Sequence, residues 1–263
     1  MIRNTMSMLG LAALTAAPAV AQSVQVRVEN LAPDGGFSFS PVWMGFHDGS
    51  FNMFDAGTQA RDLDGIQQIA ELADAGPMAS RFGMEQTMGV GGVVASGVGA
   101  PPFEPGETAS MMFDVGDASQ NRFLSYASMV VPSNDLFFGN DNALEVFDAA
   151  GNFNGPFTIN IYGRDVWDAG TEVNDILDGP AFIEGADATA GTAEFEDIAL
   201  FFSRPGADDY LTSIVGQTTA TGATITSPIA EGELLGRITV VPAPGVASVG
   251  LVAGMGIIGR RRR

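Results

Sequence analysis

The stretch "RFLSYASMVVPSNDLFFG", Arg122 to Gly139, carries the reading of the fold. Its first ten residues, 122–131, are rich in the aromatic and β-branched side chains that suit a pleated, half-buried surface. Pro132-Ser133-Asn134-Asp135 then breaks the run with turn-forming residues. Runs of the same kind recur on both sides: "SVQVRVEN" (23–30), whose alternation sets Val24, Val26 and Val28 on one face, "ASMMFDV" (109–115), "FTINIYG" (157–163), "DIALFFS" (197–203), "ATITS" (223–227) and "LLGRITVV" (234–241). Clusters of Gly, Pro, Asp and Asn separate them, as in "FEPGET" (103–108) and "FSRPGADD" (202–209). Many short strands with regular turn punctuation predict an all-β protein, a single antiparallel β-sandwich. Trp43, Phe113, Tyr126 and Phe201 belong in its core.

One segment departs from the strand period. "DLDGIQQIAELADAG" spaces Leu63, Ile66, Ile69, Ala70 and Leu72 or Ala73 as one helical face, so a single short helix is expected over about 61–75, stopped by Gly76-Pro77. The glycine-rich "MGVGGVVASGVGAPP" (88–102) has no Lys or Arg behind its glycines to reach a phosphate, which excludes a nucleotide loop and predicts a mobile surface loop.

Both ends read as addresses. Arg3, an apolar run from Met6 to Ala17 and the small-x-small pattern Ala19-Val20-Ala21 make residues 1–21 a secretion signal. At the other end, Pro242 and Pro244 precede thirteen apolar or small residues, 246–258, and four arginines. Thirteen residues make a helix of about 20 Å, short of a membrane's roughly 30 Å core. A sandwich domain over 22–241 is left between the two tags.

That central part holds all 31 acidic residues against seven arginines, a net charge of −24, and the chain has no lysine. Such a surface repels nucleic acid and anionic lipid. It suits a cation-rich exterior where salt and divalent ions screen the repulsion. The chain has no cysteine, which rules out disulfides and thiolate metal sites.

Catalytic signals are weak. His47, in "FHDGSF", is the one histidine. No G-x-S-x-G elbow accompanies it, and one His without Cys cannot build a His-rich zinc cluster. A structural, hydrogen-bonded histidine near a strand end is expected. Asp/Glu pairs of the kind glycosidases use are too frequent in an acidic chain for proximity to identify one.

A near-repeat stands out instead: "FDAGTQ" (54–59) and "WDAGTE" (167–172). In the first, Asp55 or Thr58 can accept backbone N–H groups of the following turn while Gly57 takes a positive φ. The second has Asp168 and Glu172 around a glycine, with Asp165, Asn174 and Asp175 close by, and Asp135 in the turn of the opening stretch. Turn chemistry accounts for it; so does part of a calcium shell, which takes six to eight oxygens from carboxylates, carbonyls and water.

The ordered set "VQVRVENLAP", "FSPVWMGFHDGSFNMFDAGTQA", "SYASMVVPSNDLFFG" and "WDAGTEVND" resembles the spondin N-terminal domain, the adhesive module of F-spondin-like matrix proteins that also occurs in secreted bacterial proteins. The resemblance implies a C2-like antiparallel sandwich with Ca²⁺ held by loops at one end. Carried over residue by residue, the ligands are Asp135, Asp168 and Glu172. Animal members usually have Asp where this chain has Glu172, and carry cysteines absent here. The C-terminal tail resembles a PEP-CTERM-type sorting signal, with Val-Pro-Ala-Pro in place of Val-Pro-Glu-Pro. That likeness implies transient membrane contact through the tail, processing by an exosortase-type enzyme and delivery to the cell envelope or extracellular matrix. The expected function is a secreted, calcium-binding, non-catalytic adhesion or biofilm-matrix protein whose partner is an extracellular polysaccharide or a cell-surface protein. Its rivals are a secreted polysaccharide hydrolase using an Asp/Glu pair and a periplasmic ligand-binding protein. Carboxylates lining a deep cleft would favour the first rival; carboxylates gathered on a rim of loops would favour adhesion.

Overall fold

A computed structural model describes residues 22–243, apart from 64, 98, 100 and 178. The signal expected over 1–21 lies outside the described residues, as does the sorting tail beyond Ala243. The chain runs β1 (Ser23–Asn30), β2 (Ser38–Phe39), β3 (Val42–His47), α1 (Ile66–Leu72), α2 (Gly76–Glu85), β4 (Val90–Val94), β5 (Thr108–Asp114) and β6 (Phe123–Val131). It continues through β7 (Leu136–Gly139), β8 (Leu144–Glu145), β9 (Phe157–Tyr162), β10 (Val166–Asp168), β11 (Ala199–Leu200), α3 (Ala207–Ile214) and β12 (Leu234–Pro242).

Two antiparallel sheets make the sandwich. One has the order β5-β1-β12-β9; the other runs β11-β10-β7-β6-β3-β4, with β2 and β8 also paired to β6. The alternation read in "SVQVRVEN" is realised in β1: Val24, Val26 and Val28 are buried, and Arg27 points outward. β6 behaves differently, with Leu124 to Val131 buried on both faces. One face meets the opposing sheet and the other is covered by the helices, so its sequence is a continuous apolar run rather than an alternating one. Phe39 and Phe138 pack edge to face between the sheets at 4.9 Å, as aromatic pairs prefer. The four aromatics expected inside are there: Trp43, Phe113, Tyr126 and Phe201 are all at most 6% exposed.

The sandwich stands as read; the helical and glycine-rich parts differ from expectation. The expected helix over 61–75 is shorter, spanning Ile66–Leu72, and two further α-helices join it. α1 stops because Ala73 turns left-handed (φ 56°), with the Asp74 N–H reaching back to the Gln68 carbonyl. Gly76-Pro77 starts α2 instead of ending α1: proline lacks only an N–H that the first helical turn leaves unpaired anyway, and the Asp74 carboxylate accepts the Gly76 N–H at 2.8 Å.

The expected loop at 88–102 contains β4, which pairs with β3 from Val42↔Val94 to Phe46↔Val90. Its glycines are places where rings approach backbone. A Cβ on Gly92 would lie 2.9 Å from the Phe113 ring. One on Gly89 or Gly45 would lie 2.7 Å from Phe82 of α2. "ATITS" forms no named strand, only the bridge Thr218↔Thr224, and "DIALFFS" yields two strand residues before a 3₁₀ turn.

His47 is structural, as expected. It is fully buried; its Nδ1 accepts the Gly49 N–H at 3.1 Å, leaving Nε2 to donate to Ser125 Oγ at 3.0 Å. Burial lowers its pKa from 6.5 to about 4, with nearby Asp48 opposing. A histidine with a depressed folded value contributes stability that is complete above pH 6.5 and lost as pH falls toward 4. Urea unfolding at pH 7.5 and 4.5 is expected to reveal a loss for the wild type larger than that for His47→Gln. Equal losses in the two proteins would refute this origin.

Candidate functional site

The loop between β6 and β7 is held at Ser133, Asn134 and Asp135. Ser133 Oγ donates to the Val130 carbonyl at 2.6 Å and accepts the Leu136 N–H at 3.1 Å, a local side-chain bond of the kind that shapes turns. Asn134 is locked by Tyr210 of α3: its N–H donates to the Tyr210 hydroxyl at 2.9 Å, and that hydroxyl donates to its Oδ1 at 2.7 Å. Asp135 then points into the turn that follows β10. One carboxylate oxygen, Oδ2, accepts the N–H groups of Thr171 at 2.7 Å and Glu172 at 3.1 Å, and the Thr171 hydroxyl at 3.2 Å. Asp135 therefore caps "WDAGTE", and the two segments singled out in the sequence meet.

Asp168 is 1% exposed. Its Oδ1 accepts the Gly170 N–H at 2.9 Å and Arg204 Nη2 at 3.0 Å, and its Oδ2 accepts Asn174 Nδ2 at 2.7 Å. Arg204 also pairs with Glu196 and donates to the Asp197 carbonyl. Glu172 is 7% exposed and packs on Gly191, where a Cβ would fall 2.2 Å from its carboxyl carbon.

The electrostatics leave this site short of positive charge. Burial, followed by the neighbouring Asp168, pushes the Asp135 carboxyl well above its ordinary value; the bonds from Thr171 and Glu172 oppose this. Burial also raises Glu172 to about 7, with Glu71 of α1 adding to it and Asn134 and Arg61 opposing. Among the described residues, three buried oxygens in this region have no donor: Asp135 Oδ1, Glu172 Oε2 and Asn174 Oδ1. A buried acceptor without a partner costs about 1–3 kcal/mol, more when charged, so three together call for a cation or water.

The three expected ligands are not equivalent. Asp168 is the acid that adds to the raised Asp135 carboxyl, whereas Glu71 of α1 is the acid that adds to the raised Glu172. Among the described residues no group of three or more acidic or imidazole side chains is preassembled around one metal position. Asp168 Oδ1 already accepts two donors, whereas Oδ2 accepts only Asn174 and keeps a lone pair that a metal could use. The chemistry of the unpaired set nevertheless fits a hard cation, since all three atoms are oxygens.

The twin turns share a shape but differ in surroundings. Gly57 and Gly170 both take positive φ, 81° and 66°, which costs glycine nothing. The aromatics ahead of them, Phe54 and Trp167, pack edge to face at 5.4 Å. A strap over 192–198 threads between the two turns. On one side Glu194 donates its N–H to the Thr171 carbonyl and Glu196 to that of Gly170; on the other Ile198 donates to Thr58 and accepts from Gly57. The capping expected from Asp55 or Thr58 takes another form. Thr58 Oγ1 donates to the Asp55 carbonyl at 2.8 Å, and the exposed Asp55 carboxylate accepts from Asn52 at 2.7 Å.

Arg61, Arg204 and Tyr210 were not legible as site residues. Arg61 donates to the carbonyls of Glu194 and Thr171, bracing the strap and the second turn from α1's side. A signal existed: seven arginines among 31 acidic residues in the central part make each cation a candidate for a specific internal partner.

A family model described as Spondin_N matches residues 32–201, from just before β2 to just after β11, and so includes both turns and the Asp135 loop. No curated protein matches the chain. The fold extends past the matched span, since β12 fills the centre of the smaller sheet between β1 and β9.

Proposed function

The chain belongs to the Spondin_N family, and from that membership we propose that it is an extracellular adhesion module stabilised by Ca²⁺ and without catalytic activity. The family is generally non-catalytic. The observation that carries the metal reading is the trio of donor-less buried oxygens on Asp135, Glu172 and Asn174. Asp135 Oδ1 and Glu172 Oε2 would hold the ion, with Asp168 joining through the lone pair of Oδ2 that Asn174 leaves free; bound Ca²⁺ would neutralise these acids and tie the β6–β7 loop to the second turn. Asn174 enters the set in addition to the three carboxylates named from the sequence.

Asp135, Asp168 and Glu172 line neither of two surface grooves of about 430 and 410 Å³, so these three are suited to hold an ion rather than to act as acid and base on a substrate, which both groups must reach. Delivery to the envelope or matrix, an exosortase-type processing partner and transient membrane contact remain part of this proposal through the tail's resemblance. Among the described residues no helix is long and apolar enough to cross a membrane.

Calorimetric titration tests the site directly. One Ca²⁺ per chain is expected at pH 7.5. Affinity should fall about tenfold or more by pH 5.5, because Glu172, at about 7 without metal, must release its proton to bind. Asp135→Asn should remove the binding. Unchanged stoichiometry in that variant would place calcium elsewhere.

A further inference from the structure

We propose that the groove between the open edges of the two sheets binds a neutral oligosaccharide. Its position follows from the topology: β9 ends one sheet and β11 ends the other. Between them, on the side of β7 and β10, lies a groove of about 410 Å³, within the roughly 300–1,000 Å³ of small-ligand sites.

The lining combines two chemistries. Trp167, Tyr126 and Leu200 give it aromatic and apolar surface, and Asn142, Asn160 and Asp165 give it polar groups. Leu200 is 42% exposed, so this apolar surface is open to solvent. Among the described residues no basic side chain lines it, and in a protein of such negative charge an anionic ligand would be repelled. Flat C–H surface to lie against rings, with hydroxyls to exchange bonds with amides and a carboxylate, is the chemistry of an uncharged sugar.

Tyr126 supplies the second, independent observation. Little of the residue is exposed (6%), but its side chain lines the groove, and among the described residues nothing bonds its hydroxyl, which is open to the groove rather than sealed in the core. A tyrosine hydroxyl normally has a partner, and here water or a ligand in the groove has to supply it. Burial, with Asp165 adding to it, holds the phenol protonated, so it can donate. A ligand hydroxyl set between Tyr126 and Asp165 would accept from the one and donate to the other. Asn160 is exposed at the rim, its Oδ1 taken by Arg237 at 3.2 Å and its Nδ2 left to donate.

This inference deepens the adhesive reading by naming its partner as a glycan; it uses none of the oxygens assigned to calcium. The test titrates the whole secreted chain with β-1,4-glucotetraose, α-1,4-glucotetraose and the anionic tetragalacturonate, read by tryptophan fluorescence and calorimetry. Trp43 is buried, so a change in emission reports Trp167. Saturable binding of at least one neutral tetraose is expected, with tetragalacturonate at least tenfold weaker. Tyr126→Phe and Asn160→Ala should each weaken binding about three- to tenfold, the worth of one hydrogen bond, with the calcium-dependent melting shift intact in both. No binding of either neutral sugar, equal binding of the anionic one, or wild-type affinity in both variants would each overturn the groove assignment. A calcium shift retained alongside any of these would leave the metal reading standing, and its loss from the wild type would remove that reading alone.

Discussion

The protein is expected to melt about 5–10 °C higher in saturating calcium than in EDTA at matched ionic strength and pH 7.5. An ion that binds only the folded state stabilises it by about 2.7 kcal/mol at a hundredfold excess over its dissociation constant. A domain of this size shifts roughly 2–4 °C per kcal/mol. The effect has a definite pH dependence. Without metal, Asp135 and Glu172 keep protons in the fold that the unfolded chain releases. Their contribution is complete below the unfolded value of about 4.5 for Glu172 and lost as pH rises through its folded value of about 7. The calcium–EDTA gap is therefore narrow near pH 5 and wide at pH 7.5. Asp168→Asn should close most of the gap, and will also lower both melting points because it leaves Arg204 without its buried partner. Asp55→Asn should leave the gap as it is, since that carboxylate is exposed and bonded to Asn52. The same calcium shift in all three proteins would mean that the ion merely screens an acidic surface.

Phe82→Ala is expected to lower stability by about 3–5 kcal/mol, the range for emptying a buried aromatic site. Phe82 is 4% exposed and packs edge-on to Trp43 at 5.4 Å and Phe51 at 5.1 Å. Its ring lies over a patch of the larger sheet where Gly45 and Gly91 are paired neighbours and Gly89 precedes the strand. Gly45→Ala attacks the same contact from the other side: its Cβ would sit 2.7 Å from the Phe82 ring and 2.8 Å from the Trp43 ring, an overpacking worth about 1–3 kcal/mol. In the double variant part of the space left by the ring accommodates the new methyl. The two losses should therefore fall short of their sum by about 1 kcal/mol or more. Strict additivity in urea unfolding would separate the glycines from the helix.

That contact also explains which parts of the fold could be read from sequence. β1, β6 and β12 are legible because alternation or a continuous apolar run records burial one residue at a time. β4 is not, because "VGGVV" owes its place to what its glycines omit, and the ring that fills the space comes from α2. α2 itself hides behind Gly76-Pro77, where a helix start carries the same letters as a helix stop. At the candidate site, Asp135, Asp168 and Glu172 are visible as acids near glycine turns and in a family-like order. Arg204 and Tyr210 lie in "SRPGADDY", which reads locally as a turn, and only the docking of α3 brings them to the loops. Tyr126 sits in a strand like any core aromatic, and only the parting of two sheet edges beside it opens its side chain to the groove.

The ladder between β1 and β12 has a mechanical consequence for a module of this kind. The two strands are antiparallel, with Val24 opposite Pro242, and the Ala243 N–H donates to the Ser23 carbonyl at 2.9 Å. Chain therefore enters and leaves at the same corner. A pull between the two ends would peel this ladder one bond after another, the weakest way to load a sheet. A pull between the groove and the β12 end alone would cross the sandwich and spread over many bonds at once. Load-bearing thus depends on the points of attachment: a tether at one end and a ligand in the groove would make the module resist, whereas traction on both ends would unzip it.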